Sequence, residues 1–245
     1  MSIHSKPFLP ETRVKTVLMS YIEQEGRTAL EKLGIDVITA NPHNNLSVHV
    51  AHHPDMQFLH LKDNKCVVID KSTSFLSKLK NLGFSIIEAE NNYGKEYPFD
   101  IGLNVVILNG CVIGKTDYID GQVKKELQDY KFINVSQGYT KCSVCIVNEH
   151  SLITEDESIY RKLKNNFDVL KIESNCVELK GYNYGFFGGC TGLIDKNLLA
   201  INGELKYHKS CNDIISFLKY RNVNFIELKA GSLCDIGSIL PLEEQ

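Results

Sequence analysis

Two rhythms of apolar residues alternate along the chain, and the switch from one to the other repeats five times. A stripe at three- and four-residue spacing, a Gly, Asn or Tyr/Lys break and a short β-branched run follow one another at 29–40, 75–89, 123–135, 158–173 and 213–228. The first rhythm predicts a helix with one buried face and the second a strand. What precedes each helix repeats as well. Four helices follow an apolar run, a turn and a second run, with turns at Asp63-Asn64, Asn109-Gly110, Asn148-Glu149 and Asp195-Lys196. Asn-Gly is the strongest hairpin signal of the four, because both positions tolerate positive φ. The modules are therefore 48–90, 100–135, 139–173 and 185–228, each strand–turn–strand–helix–strand.

The first helix differs, since only one strand (14–21) comes before it. Its partner is expected from the closing segment 234–242, which has no helix of its own. Termini that complete one module together close a ring and leave no open sheet edge between first and last units. The expected architecture is α/β: one domain, residues 1–245, built as a five-bladed α/β propeller of ββαβ modules.

Composition narrows the function classes. With 43% hydrophobic residues and 23% charged, the chain can bury a substantial core. A formal charge of -3 without a dense Lys/Arg run speaks against a nucleic-acid binder. No apolar run approaches the roughly 20 residues of a membrane span, and residues 1–15 lack the apolar stretch of a signal peptide. Eight cysteines without an export signal read as reduced thiols. A cytoplasmic protein with no membrane or nucleic-acid partner is expected.

Five ββαβ modules closed by the termini resemble the penteins, the guanidino-group-modifying superfamily, and the segments 52–57, 137–145, 185–194 and 235–242 are similar to an uncharacterised bacterial family of that fold. The resemblance implies a site where the modules converge: a Cys thiolate attacks a guanidinium carbon, a His moves protons, and carboxylates hold the cation. Family enzymes carry an acidic residue ahead of an early strand, and His53-Pro54-Asp55-Met56-Gln57 fits that place. On an extended strand His53, Asp55 and Gln57 would share one face. The Gly-Gly-Asp that opens the next module becomes Gly102-Leu103-Asn104, an amide for a carboxylate. The His of the fourth module becomes Tyr139, two residues before Lys141. The Cys slot falls in Asp235-Ile236-Gly237-Ser238-Ile239-Leu240, with Cys234 outside it. The standard thiol machinery is therefore not intact.

Other candidates carry structural alternatives. Cys142 and Cys145 form a CxxC without a second pair to complete a zinc site, and read as buried thiols. The glycine-rich stretch 185–192 either lines the cavity with backbone or packs tightly near the axis, and Cys190 within it is either a substitute nucleophile or filler. His52, His53, His60 and Asp55 would need a bulge to share a metal, so no metal and no cofactor are expected. Asp100-Ile101-Gly102 and Asp235-Ile236-Gly237 repeat one tripeptide, as capped turns or, for Asp235, as a site residue.

The expected ligand-binding set is thus His53, Asp55, Gln57, Asn104, Tyr139, Lys141, Cys190 and Asp235 around a central cavity. With Lys141 and His53 as donors, a neutral or zwitterionic, amino-acid-like ligand is favoured over a simple cation. A non-catalytic interaction scaffold, like the pentein initiation factor that separates ribosomal subunits, and a divergent deiminase or amidinotransferase are the alternatives.

Overall fold

The computed structural model describes residues 2–245, and within them five small sheets succeed one another along the chain. The first holds β1 (Ser2–Ile3), β2 (Val14–Ser20), α1 (Gln24–Lys32) and β3 (Asp36–Ala40). After a helical turn, α2 (Pro54–Gln57), the second holds β4 (Phe58–Lys62), β5 (Lys65–Val68), α3 (Leu76–Leu82) and β6 (Ser85–Glu88). The third holds β7 (Val106–Leu108), β8 (Cys111–Gly114), α4 (Gly121–Glu126) and β9 (Lys131–Asn134). The fourth holds β10 (Val144–Ile146), β11 (Ser151–Thr154), α5 (Glu157–Leu163) and β12 (Asp168–Lys171). The fifth holds β13 (Thr191–Asp195), β14 (Leu198–Ile201), α6 (Cys211–Tyr220) and β15 (Asn224–Glu227), and the chain ends on β16 (Leu240–Glu244).

Each of the last four sheets pairs its first two strands antiparallel and its second and third parallel, with the helix as crossover. The turns follow local chemistry. Asn109 and Gly110 both take positive φ between paired Leu108 and Cys111, as a two-residue hairpin of the primed type requires. Asp120 and Asp156 cap α4 and α5 by accepting the backbone N–H of Gln122 and Ile159.

Burial separates the strands by role. The first strands β4, β7 and β10 are almost wholly buried, whereas the third strands β6, β12 and β15 have only exposed and half-buried positions. First strands therefore face the axis and third strands the rim, which is the five-bladed propeller expected from the pattern. The ring closes through β16, whose Leu240 and Pro241 pair antiparallel with Leu18 and Val17 of β2. The closing strand begins later than expected, at 240, because Gly237 and Ser238 both take positive φ and interrupt the extended backbone. Unforeseen was β1, which pairs with the other edge of β16 and makes this sheet four-stranded. A separate apolar cluster containing Val17, Met19, Leu30, Ile194, Ile236 and Ile239 seals the seam between first and fifth modules. Among the described residues no helix is long and apolar enough to cross a membrane.

Close approach at the axis explains the glycines of 185–192. A Cβ on Gly192 would lie 1.9 Å from the Ile239 carbonyl oxygen, and one on Gly188 would lie 2.4 Å from the Val144 backbone. These positions let neighbouring inner strands touch, so the stretch serves tight packing, and of its residues Phe186 alone lines the cavity at the axis mouth.

Candidate functional site at the axis

The residues that converge on the axis come from the turns before the inner strands. One correction concerns His53, Asp55 and Gln57, which lie on no strand. Pro54 opens α2 with its fixed φ, the Phe58 N–H closes the turn on the Pro54 carbonyl, and β4 begins only at Phe58. The three side chains consequently diverge. Asp55 turns inward, while Gln57 donates to the carbonyls of Asn41 (2.9 Å) and Ala51 (2.6 Å) and ties down the preceding loop.

A cavity of about 210 Å³ opens at one end of the axis. Its floor is His53, Cys142 and Asp235, all buried, and its wall is Val50, Leu179, Tyr139 and Phe186. Exposed Tyr182, Asn183 and Tyr184 form the rim. The rim segment is anchored to the closing segment, since Glu178 N–H donates to Leu233 O and Asp235 N–H to Glu178 O. Asp235 in turn accepts from the N–H of Gly237 and of Phe186, both at 3.0 Å, which fixes its carboxylate against the floor.

Of the eight residues expected around the cavity, His53, Tyr139 and Asp235 line it. The other five do not. Asp55, Asn104 and Lys141 form a buried polar network: Lys141 Nζ donates to Ser238 Oγ (2.9 Å), and Ser238 Oγ donates to Asp55 Oδ2 (2.8 Å). Cys142 Sγ donates to the same oxygen (3.1 Å). Asn104 Oδ1 accepts the Lys141 N–H (2.7 Å), and its Nδ2 lies 3.3 Å from Cys142 Sγ. Cys190 Sγ donates to the Phe187 carbonyl, and burial pushes its thiol well above the ordinary range. Lys141 Nζ is thus turned to Ser238 and does not line this cavity.

The electrostatics are those of a dry site. Burial lowers His53 to about 4 and raises Asp235 to about 6. Burial also raises the thiol of Cys142, an effect the nearby Asp55 and Asp235 charges reinforce. Tyr139 donates to Asp100 Oδ2 at 2.8 Å, and burial with the Asp100 charge moves its phenol further from neutral titration. Neither nitrogen of His53 has a hydrogen-bond partner, and the Asp235 carboxylate stands 3.8 Å from Nδ1, beyond hydrogen-bonding distance.

Cys142 is the floor residue that sequence reasoning took for a packing thiol. A signal was present: it sits two residues before β10, as Asn104 sits two before β7, so module register places both at the axis. The rim 179–184 lies between modules and carried no periodic signal. The four histidine-cluster residues do not assemble. His52 Nδ1 bonds Ser20 Oγ, and His60 packs edge-on to His4 and Phe84 while bonding the Asp63 carbonyl.

A family model described as a family of unknown function (DUF6873) matches residues 17–240. No curated protein matches the chain. Among solved structures, an inosamine-phosphate amidinotransferase from Streptomyces griseus superposes with TM-score 0.61 at 10% identity, over 100% of this chain and 98% of that one. An amidinotransferase of the saxitoxin pathway from Microseira wollei gives 0.57 at 12%, over 98% and 97%. Agmatine deiminase from C. jejuni gives 0.56 at 13%, over 93% of each. These likenesses establish the pentein fold.

Proposed function

We propose that this chain, which belongs to the family of unknown function DUF6873, binds a small, amino-acid-sized polar ligand in the axial cavity without the standard guanidine-modifying machinery. The observation that carries this reading is the cavity itself: a buried polar floor under an aromatic and aliphatic wall, the usual composition of a small-molecule site. At ~30 Å³ per water, a 210 Å³ space suits a ligand of amino-acid size. The floor offers two acceptors, the unprotonated nitrogen of neutral His53 and the Asp235 carboxylate, to an amine. The rim offers the Asn183 amide and the Tyr182 and Tyr184 hydroxyls to a carboxylate, the role first expected of Lys141 and His53.

Thermal unfolding with glycine, L-alanine and L-serine, against guanidinium chloride and agmatine, tests the reading. A zwitterion should raise the midpoint, reaching about 2.7 kcal/mol of stabilisation at a hundred times its Kd. Replacing Tyr182 and Tyr184 together by Ala, at exposed positions, should remove most of that shift. Equal shifts in both proteins, or none from any zwitterion, would reject the assignment.

Arginine deimination is not expected. The thiol of Cys142 is directed at Asp55 and not at an imidazole, and Cys190 and Cys234 are raised thiols, the latter to about 11. Citrulline produced from arginine and abolished by Cys190→Ser or Cys234→Ser would overturn this.

A further inference from the structure

The search for a metal among His52, His53, His60 and Asp55 fails on geometry, yet the fold gathers a different set. A ring nitrogen of His53, Sγ of Cys142 and a carboxylate oxygen of Asp235 lie within 4.8 Å of one another, all three residues buried. They come from three distant segments: the turn that opens α2, the turn before β10, and the closing segment. His53 is only 1% exposed, and neither of its nitrogens meets a protein partner. Leaving a buried hydrogen-bonding group unmatched is costly, so a ring held this way is suited to a partner other than the protein's own groups.

We propose that His53, Cys142 and Asp235 bind a divalent metal ion of the zinc class, with a fourth position open to the axial cavity. One nitrogen, one sulfur and one oxygen form a donor set suited to zinc and unsuited to magnesium or calcium, which take oxygen ligands. A thiolate and a carboxylate supply two negative charges that a divalent ion neutralises, which makes a buried site affordable in electrostatic terms. Three protein ligands and one open position are the pattern of zinc sites that accept water or substrate.

The surrounding groups already orient the ligands. Asp235 is held by the N–H groups of Gly237 and Phe186, and Asn104 Nδ2 points at Cys142 Sγ. The metal takes the sulfur as thiolate. As the sulfur lone pair goes to the ion, the Cys142 proton is released to water through the open cavity. All three ligands line the cavity, which provides the entry path. The ion takes the same His53 nitrogen and Asp235 oxygen that the floor offers to an amine, so the two occupants compete, and metal binding is tested without any organic ligand.

The test uses the full chain, stripped with chelator and titrated with cobalt(II) chloride, then with zinc chloride. One equivalent of cobalt should develop tetrahedral visible bands and a sulfur-to-cobalt charge-transfer band, and zinc should displace it. Cys142→Ser should abolish the charge-transfer band, and His53→Ala should weaken cobalt binding by about tenfold or more. Cys234→Ser, at a half-buried thiol outside the site, should change neither. X-ray absorption on the zinc-loaded wild type, which needs no variant to fold, should show one sulfur at ~2.3 Å. Absent tetrahedral bands, a charge-transfer band that survives Cys142→Ser, or a zinc shell with no sulfur or more than one overturns the proposal.

Discussion

Deleting residues 234–245 should leave a chain without a cooperative thermal transition. The segment buries Ile236, Ile239, Leu240 and Leu242, and loss of a buried aliphatic side chain costs about 2–5 kcal/mol. Four such losses, about 8–20 kcal/mol together, are as large as the roughly 5–15 kcal/mol that holds a domain together. Polar ties go as well. Glu244 accepts the N–H groups of Glu11 and Thr12, both at 2.7 Å, and the Pro241 carbonyl lies 2.7 Å from His4 Nε2. Because β16 is an inner strand of its sheet, its removal also strands β1 and uncovers the hydrogen-bonding edge of β2. Calorimetry decides the matter: an unchanged midpoint in the truncated chain would disprove closure of the ring by this segment.

Wild-type protein should lose stability between pH 6.5 and 8 by about 2 kcal/mol more than a Glu155→Gln variant. Glu155 is buried just beyond β11. Its Oε1 accepts the Phe187 N–H at 3.0 Å, whereas Oε2 has no partner. Burial pushes its carboxyl from 4.5 up to about 8. Its proton is therefore retained in the folded protein after the unfolded chain has released it. The stabilising contribution is complete below pH 4.5 and is lost as pH rises through about 8. The histidines lowered by burial, His53 to about 4 and His60 to about 3, have the opposite sign and act below 6.5. Asp235, raised to about 6, has the same sign as Glu155 but has largely titrated before the window opens. Urea denaturation of both proteins at the two pH values reads the difference. Parallel slopes would mean that Glu155 is ionised throughout.

The fold was legible because its signals are local and repeated. Helix stripes, β-branched runs and turn residues such as Asn109-Gly110 each report on a few neighbours, and five repetitions fix the modules. The site was legible only in part. Module register identified the axis-facing turns, which places His53, Tyr139 and Asp235 at the cavity. It did not distinguish a side chain that faces the cavity from one buried behind it. Lys141 and Cys142 are adjacent in sequence, yet the lysine is drawn to Ser238 and the cysteine lines the floor. That division depends on Ser238, which takes a left-handed backbone conformation (φ 74°) in the closing segment. No residue near position 141 encodes it. The extended reading of His53–Gln57 failed for a different reason, since Pro54 favours the first turn of a helix as readily as an extended strand.

The pairing of β2 with β16 has a kinetic side. Four of the sheets assemble from strands close together in sequence, whereas the seam joins Val14 to Glu244. Closing so long a loop, like that of the neighbouring Ser2–Glu244 pairing of β1 with β16, carries a larger chain-entropy cost than any pairing within the other four sheets, and non-local pairing of this kind slows folding. The four locally wired sheets can form first and present an incomplete arc. Docking of the final strand then becomes the slow step that converts the arc into a ring.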